Sequence, residues 1–293
     1  MALAAAMLWA MSTVIFSRMN NHISALELNL FKALVALGLF GLTLLITRQI
    51  AGDLPITAAM LFLASGAIGI GLGDTAYFNA LYSIGPQKAS LLKTSAPPLV
   101  AILGLLLLNE QLGWKSWLGI ALVMAGVVWV ISERPSNGEN ADVKSGLPLR
   151  GIVFGFLAAI TEAIGVILSH IALTQSNITP LLGSSLRLVG AALIIVIIVL
   201  IKRQKLGAWM KKSNALRVGG TASLAVFAGT FLGIWLQQSA LKLTAAGIVQ
   251  TLIATTPIFV LPISALIGQK VTPRIFIGVA IALVGVFFVF NPG

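Results

Sequence analysis

The chain has 293 residues, of which 58% are hydrophobic and 9% are charged, and its mean hydropathy is +1.02. Water-soluble domains carry about 25% charged residues, so this composition excludes an ordinary soluble domain and indicates a protein whose solvent is lipid. The formal net charge is +11, but most basic residues lie between apolar runs, where they anchor helix ends and do not indicate nucleic-acid binding. The chain has no Cys, which excludes disulfides, thiolate metal sites and a Cys nucleophile.

Ten apolar runs follow one another along the chain. A bilayer crossing needs about 20 mostly apolar residues, and these runs are too long for the tilted strands of a barrel. We therefore predict an all-α integral membrane protein with ten transmembrane helices, numbered here as spans 1 to 10. The runs lie near residues 2–18, 25–47, 56–81, 87–108, 115–132, 149–171, 179–201, 215–241, 244–267 and 273–290.

A polar stretch divides the ten spans into two groups of five. It covers residues 133–148 and contains Pro135 and Gly138 among charged residues, which is typical of a linker. We predict a first five-helix repeat over residues 1–132 and a second over residues 149–293. Because five is an odd number, the second half must sit upside down relative to the first, which gives two inverted five-helix repeats.

The two halves are also related in sequence. When the chain is shifted by about 160 positions, Gly73 aligns with Gly233 and Pro97 aligns with Pro257. An apolar chain made of two related halves suggests a membrane transporter with its site between them. The glycines and prolines that recur would be the points at which the helices bend.

Charged residues inside the spans are the first candidates for function. Such a charge costs about 2.5–3.5 kcal/mol on insertion scales, so it usually faces the protein interior or a wet cavity. Asp74 and Glu162 are the acidic members, and we predict a role in substrate binding or proton coupling for both. Lys93 would hold a substrate carboxylate or neutralise Asp74, while Arg187 and its repeat counterpart Lys32 are predicted to be structural. A structural hydrogen bond to Ser or Thr is the alternative for Glu162.

Aromatic and amide residues could complete a pocket. Helical spacing places Asp74, Tyr77 and Phe78 on one face, and it places Trp235 and Gln238 on another. Aromatic rings can stack on flat ligands or receive cations, although they also serve as core packing. We predict a midplane cavity lined by spans 1, 3, 4, 6, 8 and 9. The predicted substrate-binding residues are Trp9, Asp74, Tyr77, Phe78, Lys93, Glu162, Trp235, Gln238 and Gln250.

Four features in chain order carry a family resemblance. The first is Leu8-Trp9-Ala10 in span 1, and the second is the pair Ala80-Leu81-Tyr82 and Ala240-Leu241-Lys242 in spans 3 and 8. The third is a proline within spans 4 and 9, at Pro97 and Pro257, and Pro97 is followed by Leu108-Asn109-Glu110-Gln111-Leu112. The fourth is the glycine pattern from Gly119 to Gly126 in span 5 and from Gly278 to Gly285 in span 10. On these residues the chain resembles the ten-helix EamA-type permeases of the drug/metabolite transporter superfamily. It departs from the pattern at Gln269, where Glu110 would recur.

The resemblance implies a carrier that exports or exchanges small metabolites, such as amino acids or drug-like amphipaths, across the inner or plasma membrane. Four-helix relatives in the superfamily have a proton-coupling Glu on their first helix, and Glu162 resembles it by its position within the repeat. The resemblance also implies cytoplasmic termini, whereas the count of basic residues between spans places both termini on the other side. The sequence leaves the orientation and the substrate open.

The expected partners are a small-molecule substrate and the lipid bilayer, with protons as a further candidate. We expect a monomer without a cofactor, a metal or a nucleic-acid partner. An intramembrane enzyme acting on a lipid-like substrate is the alternative, but the chain lacks HExxH, GxSxG and GxxxxGK[ST] motifs, so we predict that it is not an enzyme. A channel or a non-transporting membrane scaffold is the third possibility.

Overall fold

The described residues of the chain are helical and contain no strand. The computed structural model describes residues 1–48, 54–108, 113–131, 148–244, 246–269 and 271–290, so most of the predicted linker and Glu110 lie outside the described residues. The α-helices within these ranges are α1 (Ala2–Ser17), α2 (Ala25–Thr47), α3 (Ile56–Ser65), α4 (Gly73–Lys93), α5 (Ala96–Leu108), α6 (Trp114–Ile131), α7 (Leu149–Thr174), α8 (Pro180–Lys202), α9 (Ala215–Ala225), α10 (Gly233–Leu243), α11 (Ala246–Ile253), α12 (Thr256–Leu266) and α13 (Pro273–Phe290). Two π-helical segments, π1 (Gly66–Leu72) and π2 (Val226–Leu232), and one short 3₁₀-helix (Ala208–Lys211) complete the set.

Within this described part of the chain, the helices form the ten predicted spans. Single helices α1, α2, α6, α7, α8 and α13 form spans 1, 2, 5, 6, 7 and 10. Span 3 consists of α3, π1 and the first part of α4, which is broken at Gly85, where φ is 78° and only glycine is free of strain. The rest of α4 and α5 form span 4, while span 8 consists of α9, π2 and α10, and span 9 of α11 and α12. The all-α membrane fold with two five-helix halves is confirmed.

The outer faces of the helices require lipid. Six helical stretches among the described residues are long and apolar enough to cross a membrane, and three shorter apolar helices accompany them. Large apolar side chains lie open on these faces, such as Leu216, which is 93% exposed, and Leu266, which is 86% exposed. A surface of this kind would aggregate in water, so the protein is a multi-pass membrane protein.

The two π-helical segments occupy the same position in each half, about 160 residues apart. A π turn widens the helix and leaves carbonyl groups without their usual partners. In π1, the Asn29 side-chain amide donates to the carbonyls of Ile70 (2.8 Å) and Gly71 (3.0 Å). In π2, the indole Nε1 of Trp9 donates to the carbonyl of Gly229 over 2.6 Å. Side chains from neighbouring helices therefore stabilise both segments.

Spans 4 and 9 are each interrupted by two residues, between α4 and α5 and between α11 and α12. Pro97 and Pro257 lie in the first turn of the helix that follows, where a proline removes no helical hydrogen bond. Just before these helices, the hydroxyls of Thr94 and Thr255 each donate to the carbonyl three residues earlier, over 2.6 Å in both cases. The interruptions thus keep their carbonyl groups paired inside the membrane.

Contacts between the halves follow an approximate two-fold relation. The segment π1 and helix α4 pack on α7, and the corresponding elements π2 and α10 pack on α1, while α2 packs on α8 and α6 on α13. In the last pair the contact is reciprocal, since a Cβ atom at Gly126 would meet the carbonyl of Gly278 and a Cβ atom at Gly278 would meet the carbonyl of Gly126.

Gly73 and Gly233 are also equivalent: a Cβ atom would approach Thr161 at the first and Trp9 at the second. The helices approach closely because these positions carry no side chain.

Candidate substrate-binding cavity

A cavity lies between the two halves and is lined by residues of both. It contains about 1000 Å³ of empty space, its open mouth included. Every span that the sequence predicted for the cavity contributes to it, and spans 2 and 7 also contribute, through Lys32 and Arg187. The polar and charged lining residues are Ser12, Thr13, Lys32, Asp74, Tyr77, Ser90, Lys93, Thr94, Glu162, Arg187, Thr230, Gln237, Gln250 and Thr256. Trp9, Phe16, Phe78, Ile234 and Ile253 are among the apolar ones.

Two ion pairs lie in the cavity wall. Lys32 pairs with Asp74 inside the first half, and the Lys93 ammonium lies 2.7 Å from Glu162 Oε2 in the second half. The pairing of Asp74 with Lys93 that the sequence suggested is therefore wrong, and so is the suggested Ser or Thr partner for Glu162. The reason is that α4 packs along α7, which brings Lys93 to Glu162, while α2 lies beside α4 and supplies Lys32 to Asp74.

Aromatic rings hold the Lys93 ammonium in place. Its nitrogen lies 4.8 Å from the ring centroid of Tyr77 and 5.6 Å from that of Trp9, distances at which a ring attracts a cation. The Tyr77 hydroxyl in turn lies 3.1 Å from the hydroxyl of Thr13. Trp9, Tyr77, Lys93 and Glu162 thus form one connected group, in which residues of α1 and α4 meet a carboxylate of α7.

Arg187 is the cation of the cavity wall that forms no ion pair with any described residue. Its side chain is buried, and its Nε and Nη1 atoms have no hydrogen-bond partner. Lys32 and Arg187, which were predicted to be structural, both line the cavity. The described lining contains three cationic side chains and the carboxylates of Asp74 and Glu162, so it carries one uncompensated positive charge.

Gln250 lines the cavity as predicted by its helix face, and its Nε2 atom is buried without a partner. Trp235 and Gln238, which were predicted to line it, lie outside the lining. Trp235 packs on the ring of Phe231, with centroids 5.9 Å apart, and Gln238 accepts a hydrogen bond of 2.5 Å from Ser169. Both residues therefore make their contacts outside the cavity lining.

Gln237 lines the cavity and was not among the predicted residues, although the repeat contained the signal. Along span 3, the lining residues Ile70, Asp74 and Tyr77 follow helical spacing. The equivalent positions about 160 residues later are Thr230, Ile234 and Gln237, and all three line the cavity. If the cavity face of span 3 is transferred to span 8, it identifies Gln237. The face predicted from residue type, with Trp235 and Gln238, lies one position further along the helix than the lining residues Ile234 and Gln237.

Both halves of the chain match a known family of transporters, and the whole chain is similar in fold to a known structure. The model of the family described as "EamA-like transporter family" matches residues 1–132 and 149–291. A curated relative from Sinorhizobium sp, described as "Uncharacterized transporter in cobO 3'region", is 37% identical over 68 residues, which are 23% of this chain and 48% of that protein. The match therefore spans about half the length of that relative. A protein of known crystal structure superposes with a TM-score of 0.66 over 99% of this chain and 94% of its own, and at 13% identity this similarity shows the fold alone.

Proposed function

Because this chain belongs to the EamA-like transporter family, we propose that it is a secondary transporter that moves small amphipathic metabolites across a cell membrane by alternating access. Many transporter folds combine an inverted repeat with a site between the halves, and this chain has a cavity at that place. Export or exchange is the direction that the resemblance favours, in the inner or plasma membrane. The name of the family argues against an enzyme.

One observation carries the proposal: the Lys93–Glu162 ion pair lies in the cavity wall and joins the two halves. Side-chain exposure is 25% for Lys93 and 12% for Glu162, so both reach the cavity. Charges inside a membrane are costly and mark substrate or ion pathways. Because the pair joins the two halves, it can break and form again when the halves rock. A substrate or a proton that competes for either charge would therefore affect which conformation the transporter adopts.

The other residues take roles around this pair. Trp9, Tyr77 and Phe78 provide aromatic surface, and Gln250 offers a free amide donor. Asp74 is the second carboxylate that could take part in proton coupling. The interruptions at Pro97 and Pro257, together with π1 and π2, give each half two places at which a span can bend, and Gly73 and Gly233 begin the helices after the π turns.

Reconstituted transport tests the proposal. Purified protein in proteoliposomes would be screened for saturable uptake of amino acids and nucleosides, with and without a pH gradient. We expect Glu162→Gln and Lys93→Met to lower the initial rate at least about 10-fold, because each leaves a buried charge without its partner. Lys205→Gln is the matched control, since Lys205 is an exposed loop residue outside the cavity.

The result that would end the proposal is the absence of saturable flux for every compound, or normal rates for both cavity variants. Proton coupling has a separate readout. If Glu162 or Asp74 carries the proton, then Glu162→Gln or Asp74→Asn abolishes the stimulation by the pH gradient, while counterflow exchange of the same substrate continues.

A further inference from the structure

The unpaired guanidinium of Arg187 indicates what the cavity binds. Arg187 is 4% exposed, lines the cavity and has no hydrogen-bond partner at Nε or Nη1. Burying a guanidinium without an anion is unfavourable, and proteins normally supply a carboxylate or phosphate to its planar set of donors. The two carboxylates in the described part of the wall pair with Lys32 and Lys93, and neither forms an ion pair with Arg187, so a direct partner is expected to come from outside the chain.

The free hydrogen-bonding groups of the lining point to the same chemistry. Besides the two Arg187 nitrogens, the buried Nε2 atom of Gln250 lines the cavity without a partner. All three are donors. Glu162 Oε2 also makes no hydrogen bond, but it lies in the ion pair with Lys93. The ligand that complements these groups supplies acceptors and a negative charge, and a carboxylate, which Arg binds with two parallel hydrogen bonds, does both.

Comparison within the repeat shows why Arg187 is unpaired. Lys32 occupies the corresponding position in the first half, and it pairs with Asp74 on the next span. The position equivalent to Asp74 in the second half is Ile234, which also lines the cavity. The second half therefore keeps the cation and lacks the carboxylate, so a purely structural ion pair, as in the first half, is not available to Arg187.

We propose that Arg187 is the carboxylate-binding residue of the cavity and that the substrates are amphipathic organic anions. The carboxylate of the substrate takes the place that Asp74 has beside Lys32. The aromatic residues Trp9, Phe16, Tyr77 and Phe78 contact the apolar part of the molecule. An amine is not required, because Lys32 and Lys93 already neutralise the two carboxylates of the described lining. This inference rests on the proposed transport function and narrows its substrate class.

Three matched probes separate the charges of a substrate: L-phenylalanine carries both an amine and a carboxylate, N-acetyl-L-phenylalanine only the carboxylate, and L-phenylalaninamide only the amine. In proteoliposomes with the full chain, we expect uptake of the two carboxylates and at least about 10-fold slower uptake of the amide. Arg187→Gln is expected to lower uptake of both carboxylates at least about 10-fold, and Arg187→Lys to retain part of it, because a lysine keeps the charge but loses the planar fork.

A second pair of variants leaves Arg187 in place. Ile234→Asp puts a carboxylate at the repeat equivalent of Asp74, so it is expected to occupy Arg187 and to lower carboxylate uptake about as much as Arg187→Gln. Ile234→Asn adds a side chain of similar shape without the charge, and it is expected to retain most of the uptake. Size-exclusion profiles and unfolding temperatures of all variants identify any that do not fold, and the Ile234 pair keeps the inference testable if an Arg187 variant is lost.

Two results separate the possible failures. If the metabolite panel shows saturable flux but Arg187→Gln and Ile234→Asp transport carboxylates like the wild type, or if the amide is preferred, the carboxylate site is wrong and the transporter stands. If no compound in either set shows saturable flux, the proposed function itself is wrong.

Discussion

The two halves of this protein share a scaffold and differ in how they treat the same basic position. In the first half Lys32 is neutralised by Asp74, and in the second half Arg187 faces the cavity, with Ile234 where the carboxylate would be. The same buried basic position is therefore neutralised by the protein in one half and has no ion-pair partner among the described residues in the other. This difference comes from a single residue one span away, and not from the basic residue itself.

The largest expected effect is the loss of stability when the cation of the first half is removed, compared with removal of the cation of the second half. Lys32→Met leaves Asp74 without its partner in the protein interior, and we expect a loss of about 3 kcal/mol in the free energy of unfolding, because breaking a buried pair on one side is strongly destabilising. Arg187→Met removes a cation that has no partner among the described residues, so its unfolding free energy is expected to stay equal or to rise.

Thermal unfolding in detergent micelles measures this difference. The double variant Lys32→Met with Asp74→Asn serves as the control, since it removes both charges and should recover much of the loss. Equal destabilisation by the two single variants would contradict the contrast between the halves.

A smaller loss of stability is expected where the second half packs against π1 in the first half. A Cβ atom at Gly66 would collide with the backbone of Arg187, whereas the equivalent position in the second half is Val226. Gly66→Ala should therefore lower stability by about 2 kcal/mol, because backbone cannot move aside as a side chain can. Gly38→Ala is the matched control in a neighbouring helix, since no atom lies within 4 Å of a Cβ atom there, and it should be neutral or slightly stabilising. Equal unfolding temperatures for the two variants would count against this packing.

The smallest effect concerns the donors to the two π segments. Asn29 supports π1 from within the first half, but Trp9 supports π2 from the opposite half. Trp9→Phe keeps an aromatic ring and removes the indole donor, so we expect a loss of about 1 kcal/mol, the usual net value of one hydrogen bond. Trp117→Phe, at an exposed site, is the control and should leave the unfolding temperature unchanged. A wild-type unfolding temperature for Trp9→Phe would show that π2 does not depend on the bond between the halves.

Much of the fold followed from the sequence, because the membrane imposes strong local rules. The positions of the ten spans follow from apolar length, and the interruptions before Pro97 and Pro257 follow from the missing amide hydrogen of proline. The break at Gly85 lies between the third and fourth apolar runs, where the dipeptide Gly85-Pro86 is typical of a turn. These features depend on residues that are close together along the chain.

The partners of the charged residues could not be predicted in the same way. Asp74 and Lys93 belong to consecutive spans, and their pairing was one of the alternatives that the sequence left open, but the choice between Lys32 and Lys93 depends on how helices from two halves fit together. Hydropathy and helical spacing carry no information about that fit. For Gln237 the information was available from the repeat, since its counterpart Tyr77 was already assigned to the cavity face.

The two π segments also bear on how the two halves of the protein arose. A π turn arises when one residue is inserted into an α-helix, and π1 and π2 lie at equivalent positions of the two repeats. Two independent insertions at the same point are a less simple origin than one insertion in an ancestral five-helix unit before that unit was duplicated. We infer that the widened turn preceded the duplication and that the difference between Asp74 and Ile234 arose as the two copies diverged.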